Sequence, residues 1–162
     1  MRSLRKLLRR ALSTGTPPQG DRPRRERARG PRPPADGISY APRADGLPDP
    51  GEVVWAWVAY EDDPQQGKDR PVLLIGRRDA TLLGLMLTSK DHDRDAADEA
   101  RWGRHWMDVG SGGWDRERRP SEVRLDRLLE LAPDGVRREG AALDRAMFDR
   151  VVSEARRFHA WG

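Results

Sequence analysis

The sequence predicts a mainly β domain, a small and strongly bent sheet or barrel closed by one C-terminal helix, behind a disordered basic tail. Three observations predict it. Short apolar runs rich in β-branched and aromatic residues begin only after Gly51, turn signals separate them closely, and a helix-spaced apolar stripe ends the chain.

Residues 1–49 read as the tail and residues 50–162 as the domain. Nine of the 13 prolines lie within residues 1–50, and no apolar periodicity appears between Gly15 and Pro50. Such a segment has too little apolar surface to offset the entropy of ordering. Residues 2–12 differ: Leu4, Leu7, Leu8, Ala11 and Leu12 share one helical face and Arg2, Arg5, Lys6, Arg9 and Arg10 the opposite one. A short basic amphipathic helix of this kind suits an anionic membrane surface, a partner or nucleic acid, yet alone it is marginal in water. A frayed tail without a role fits the same residues.

Glu52–Val58 is the first strand of the domain. The acidic Glu61-Asp62-Asp63-Pro64 opens a polar loop that runs through Gln65 to Arg70. Pro71 starts a second strand, 71–77, because proline is tolerated at the first residue of a strand and poorly inside one. Arg78-Asp79-Ala80 turns the chain into a third strand, 81–89, to make a hairpin. Residues 90–104 are charged and irregular. His105–Val109 reads as a fourth strand, with Gly110-Ser111-Gly112-Gly113 as its turn. Val123–Leu131 alternates with period two between Arg119-Pro120 and Pro133-Asp134-Gly135, so it reads as one strand, although a helix also fits. Val136–Ala142 adds a short strand. Met147, Phe148, Val151, Val152, Ala155 and Phe158 then mark a helix across 143–160.

Charge is divided unevenly. Residues 1–50 carry 12 Lys+Arg against 5 Asp+Glu, and residues 51–162 carry 19 against 22. The high isoelectric point therefore belongs to the tail, and the domain would have to bind RNA or DNA, if at all, through a local patch. The basic residues are 28 Arg and 3 Lys, so arginine count by itself says little about function. No cysteine is present, which excludes disulfides, zinc thiolates and a cysteine nucleophile and fits a reducing cytoplasm. No apolar run approaches the roughly 20 residues of a membrane span, and the first twelve residues lack the apolar core of a secretory signal.

The chemistry-bearing residues cluster at two strand ends. Cleaving RNA by its own 2′-hydroxyl needs a proton acceptor, positive charge on the developing phosphorane and a proton donor for the leaving oxygen. Arg70 offers a planar donor fork to the phosphorane but, with a pKa above about 12, is a poor base. Thr88 can donate a hydrogen bond to a phosphate oxygen. If the strand runs past Leu87, Thr88, Lys90 and His92 alternate onto one face, with Lys90 as a phosphate contact and His92 as a base. The competing reading leaves Arg70 in solvent and Lys90–Asp95 as a solvated charge run. Trp102, Trp106 and Trp114, beside Arg101 and Arg104, suit either packing or stacking on unpaired bases, and packing is the more common use. Trp55 and Trp57 read as core or dimer contacts. No metal site is predicted: Asp91, Asp93 and Asp95 open like a calcium loop, but Ala96 replaces its glycine and Trp102 its bidentate glutamate, while His92, His105 and His159 lack paired spacing. Gly110–Gly113 has no lysine to make a phosphate loop.

The order of these motifs carries a resemblance. Gly51-Glu52-Val53-Val54-Trp55, then Gln66-Gly67-Lys68-Asp69-Arg70-Pro71-Val72-Leu73, then Leu87-Thr88-Ser89, then Ser121–Leu128 and a closing helix, resemble the PemK/MazF family of toxin endoribonucleases over roughly residues 51–158. That resemblance implies an SH3-like β-barrel, a homodimer, and cleavage of single-stranded RNA without metal or cofactor. It also implies a cognate antitoxin whose acidic, partly disordered segment fills the RNA groove. Arg70 and Thr88 take the positions of the catalytic pair, with Ser89 as alternate. Gln65 stands where the family often has glutamate, and Lys90–Pro120 is longer and richer in tryptophan than usual. Two other functions share the fold: a non-catalytic RNA-binding or protein-interaction module, and a CcdB-like gyrase inhibitor acting through its closing helix.

Overall fold

A computed structural model describes residues 37–160. The amphipathic segment 2–12 lies outside the described residues. The elements are β1 (Gly37–Ile38), β2 (Glu52–Ala59), β3 (Gly67–Arg78), β4 (Thr81–Thr88), α1 (Ala96–Arg101, entered by a 3₁₀ turn at Asp93–Asp95), β5 (Trp106–Gly110), β6 (Ser121–Arg124), β7 (Leu129–Leu131), β8 (Val136–Ala142) and α2 (Arg145–Ala155). The strands form one antiparallel sheet in the order β5–β6–β4–β3–β2–β8, with β1 added to β3 and β7 to β4. The mainly β class and the closing helix are as the sequence predicts.

The central strands are buried on both faces, which is why 72–75 is a continuous apolar run. Val53, Leu73, Ile75, Leu83, Leu85 and Leu87 face α2, whose Phe148, Val151, Val152 and Ala155 complete that core. Val54, Ala56, Val58, Val72, Leu74, Leu82 and Met86 face the other way, against Leu129. The helix starts at Arg145 and not at Leu143, because the Asp144 side chain accepts from the Met147 amide at 3.2 Å and sets the N-cap. The β3–β4 hairpin turns on Asp79, at φ 52°, a left-handed conformation that aspartate tolerates.

Four readings of the sequence need correction. Strand β3 begins at Gly67, so Arg70 lies inside a strand and not at the end of a loop. Residues 67–71 pair with Trp55–Ala59 of β2, while the ladder to β4 stops at Val72–Met86. Pro71 thus sits where β3 has a neighbour on one side only, the sheet position at which a missing N–H is tolerated.

The run 123–131 is two strands. Val123 and Leu125 belong to the α2-side core and Leu129 to the opposite one, so the bend at 125–128 exchanges faces while the alternation in sequence continues unbroken.

Residues 90–104 contain a short helix, α1, made from the strong helix formers Ala96, Ala97, Glu99 and Ala100. It buries no residue, so no apolar stripe announces it.

Residues 37–49, assigned above to the tail, lie against the sheet. Gly37 and Ile38 pair with Arg77 and Gly76, and a Cβ on Gly76 would meet the Gly37 carbonyl oxygen at 2.3 Å. The Tyr40 hydroxyl donates to the Leu143 carbonyl at 2.8 Å, and its ring lies 5.1 Å from that of Phe148. The buried carboxylate of Glu52 accepts from the Arg43 and Asp49 amides, both at 3.1 Å. Among the described residues no helix is long and apolar enough to cross a membrane.

Candidate active site

Where the β3–β4 ladder ends at Val72–Met86, β3 keeps only β2 and β4 keeps only β6, through Leu87–Val123 and Thr88–Glu122. Carrying the register two residues further sets Thr88 across from Arg70, on one face. A cleft of about 250 Å³ opens between the two strand ends, and Arg70, Pro71, Thr88 and Ser89 all line it, with Lys68, Asp69 and Arg119 at its sides. Its apolar wall is fixed by a relay: Trp55 Nε1 donates to the Trp114 carbonyl at 2.9 Å, and Trp114 Nε1 donates to Ser121 Oγ at 3.1 Å. Trp114 is therefore a core residue, 4% exposed.

The charges around this cleft differ in what they meet. Arg119 donates through Nε to Asp115 at 2.8 Å and reaches Glu117 at 3.4 Å, so its charge is largely cancelled locally. That hydrogen bond holds the Asp115 carboxyl below its ordinary range against the opposing effect of burial. Asp69 is paired with Arg137. Arg70 is half-buried and, among the described residues, its side chain makes no ion pair or hydrogen bond. Burial pulls its guanidinium below the ordinary value, Tyr60 opposes this, and the nearby Arg127 cation adds to it. A cation short of both water and counter-ion gains when an anion arrives. Thr88 Oγ1 accepts from the Lys90 amide at 3.2 Å, which leaves its hydroxyl proton to be donated elsewhere.

The other residues singled out by sequence fall into separate places. Ser89 is exposed at the rim of the same cleft. Strand β4 ends at Thr88, so Lys90 and His92 do not continue its alternation. Lys90 is exposed, and His92 lies in a different hollow with Trp106, Glu99 and Glu122. The His92 ring stacks on Trp106 at 4.2 Å and 9°. Burial lowers its pKa, with Glu99 opposing and Lys90 reinforcing, so neutral imidazole is favoured there. Gln65 is exposed in the β2–β3 loop, where its amide donates to Asp63 Oδ1 at 3.2 Å. Arg101 points outward beside Asp98 at 3.7 Å. Trp106 Nε1 donates to Glu99 Oε2 at 3.1 Å, and Arg104 makes a two-pronged contact to the same carboxylate at 2.8 and 3.1 Å. Trp102 is 75% exposed, so it does not pack into this chain's core.

Arg70 also lines a second cleft, of about 290 Å³, with Tyr60, Glu61, Trp102, Arg104, Arg124 and Arg127. The sequence reading missed the arginines at 124 and 127. Arg124 is 4% exposed and bonds both Glu61 and Asp126, the latter at 2.8 Å, while Arg127 Nη2 donates to the Ala59 carbonyl at 2.8 Å. Their one signal is an Arg-x-Asp step set within apolar alternation. Among the described residues no three His, Cys, Asp or Glu side chains are grouped to hold a metal ion.

Fold and cleft together define a mainly β antiparallel domain with a cation-lined cleft at the splayed ends of two central strands. The chain belongs to the family described as PemK-like, MazF-like toxins of type II toxin–antitoxin systems, whose model matches residues 49–159. No curated protein matches it. Among solved structures it is similar to the MazE–MazF complex of Deinococcus radiodurans, at 17% identity and TM-score 0.47, over 68% of this chain and 94% of that one. It is also similar to the Mycobacterium tuberculosis toxin MazF-mt6, at 17% identity and TM-score 0.42, over 64% of this chain and 90% of that one.

Proposed function

We propose that the protein is the toxin of a type II toxin–antitoxin pair, an endoribonuclease that cuts single-stranded RNA by attack of the 2′-hydroxyl without metal. One observation carries this reading: Arg70, half-buried and without a counter-ion among the described residues, shares a cleft with Thr88. A scissile phosphate placed there meets a guanidinium fork on its non-bridging oxygens and a hydroxyl donor beside it. As the 2′-oxygen attacks, the phosphorane gains negative charge, and both donors bind it more strongly than the ground state. The 2′-hydroxyl gives up its proton to solvent, the bond to the 5′-oxygen breaks and that oxygen takes a proton back from solvent, leaving a 2′,3′-cyclic phosphate and a 5′-hydroxyl end. Lys68, in the same cleft, contacts a flanking phosphate. Trp102, with Arg101 and Arg104 near it, serves the RNA strand, and Trp106 supports that segment. Membership of a toxin–antitoxin family supports an antitoxin partner, and we extend the reading to a homodimer acting in the cytoplasm, with exposed Trp57 a candidate dimer contact.

The test is incubation with a long single-stranded RNA in EDTA, wild type beside Arg70→Ala. Wild-type cleavage leaving 5′-hydroxyl ends, lost in the variant, supports the reading. Equal cleavage by the variant removes Arg70 from the mechanism, and no cleavage by either points to a non-catalytic binding module.

A further inference from the structure

The second cleft is unexplained by cleavage alone. Arg70 belongs to both clefts, so the second opens beside the place proposed for the scissile phosphate. Trp102 stands there 75% exposed, at the end of a helix that buries nothing, so packing within this chain does not account for it. Its mount is nevertheless firm. The Trp102 amide donates to Asp98 and Glu99 carbonyls at 3.3 and 3.1 Å, and the Glu99 carboxylate ties α1 to Arg104 and Trp106. A large flat ring left wet on a fixed backbone offers a base a stacking face, with only its two side-chain torsions left to order. The same cleft is lined by polar groups with bonding capacity to spare. Glu61 is held by Arg124 through one oxygen, and Arg127 uses one nitrogen on the Ala59 carbonyl. They present an acceptor and donors to the edge of a base.

We propose that this second cleft is a nucleobase subsite: the nucleotide adjoining the phosphate on Arg70 stacks on Trp102 and turns its polar edge to Glu61 and Arg127. The proposal rests on the RNA-cleaving reading but is tested without cleavage. The probe is a dye-labelled, fully 2′-O-methylated RNA oligonucleotide, which has no attacking hydroxyl, and the readout is fluorescence anisotropy with the full-length chain. Trp102→Ala should weaken binding by roughly 5- to 100-fold, the range for losing one base–aromatic stack. Trp102→Phe keeps a stacking face and should stay within a few-fold. An abasic nucleotide walked along the probe should cost the wild type affinity at one position and cost Trp102→Ala clearly less there, since only the contacts to Glu61 and Arg127 remain to be lost. Unchanged affinity in Trp102→Ala overturns the proposal, as does abasic loss that simply adds to the variant's own. Unchanged affinity with an altered oligomeric state would assign Trp102 to a protein contact instead, again overturning it. Should wild type bind the probe through Trp102 yet leave unmodified RNA intact, the subsite stands and the endoribonuclease reading falls. Cleavage that is indifferent to Trp102 gives the reverse.

Discussion

Arg124 and Arg70 line the same cleft and use their charge in opposite ways. Arg124 is almost fully buried and answered by two carboxylates, Asp126 from its own bend and Glu61 from the β2–β3 loop. Arg70 is half-buried and is answered, among the described residues, by none. The carboxylates raise the Arg124 pKa in spite of burial, whereas burial lowers that of Arg70. In a chain with 28 arginines neither count nor burial separates structure from function; the counter-ion does. A paired buried arginine holds elements together, and an unpaired one keeps its charge for a ligand, the role proposed for Arg70.

The largest effect expected from this contrast is on stability at the paired site. Arg124→Ala strands Asp126 and Glu61 without their cation, and urea unfolding should show a loss of about 3–5 kcal/mol, the usual cost of breaking a buried ion pair from one side. A loss below about 1 kcal/mol would mean that water screens the network and that the contrast with Arg70 is one of degree.

Next comes Thr88→Val, which keeps the shape and removes the hydroxyl. Cleavage should fall roughly 10- to 100-fold, as for a hydrogen bond to a charged group worth about 1.5–3 kcal/mol. Binding of the 2′-O-methylated probe should change much less. Equal losses in both would make Thr88 a binding contact and not a catalytic donor.

The smallest effect belongs to the partly exposed pair Glu99–Arg104. The hydrogen bonds from Arg104, helped by Trp106, pull the Glu99 carboxyl from 4.5 down to about 2. Its folded value is depressed, so the stabilisation is complete above pH 4.5 and fades as pH falls toward 2. Solvent screening keeps it below about 1 kcal/mol. Glu99→Gln should remove that part of the acid dependence, and a wild-type profile already flat between these pH values would contradict it.

The legible parts of the molecule were those whose signal is local. Alternation and turn residues marked β2, the β3–β4 hairpin, β5 and β8, and the stripe at Phe148, Val151, Val152 and Ala155 marked α2. Arg70 and Thr88 could be paired in thought because both flank the same hairpin, and register carries them to one face. What escaped was tertiary. The stretch 37–49 packs through Ile38, Tyr40 and amides captured by Glu52, none of which makes a period. The break between β6 and β7 is made by Arg124 closing on Asp126 and on Glu61, the latter sixty-odd residues away in sequence. His92 was misplaced because the alternation was extended past Thr88, where the strand ends.

The measurement that bears most directly on the contrast is a paired one on Arg70→Ala: unfolding free energy in urea and the rate of RNA cleavage on the same preparation. An unpaired, ligand-seeking cation predicts stability unchanged within about 0.5 kcal/mol, or slightly raised, with cleavage down about 10²- to 10³-fold, as for loss of one transition-state donor. A clear loss of stability, with cleavage reduced only in step with the unfolded fraction, would make Arg70 a structural arginine like Arg124.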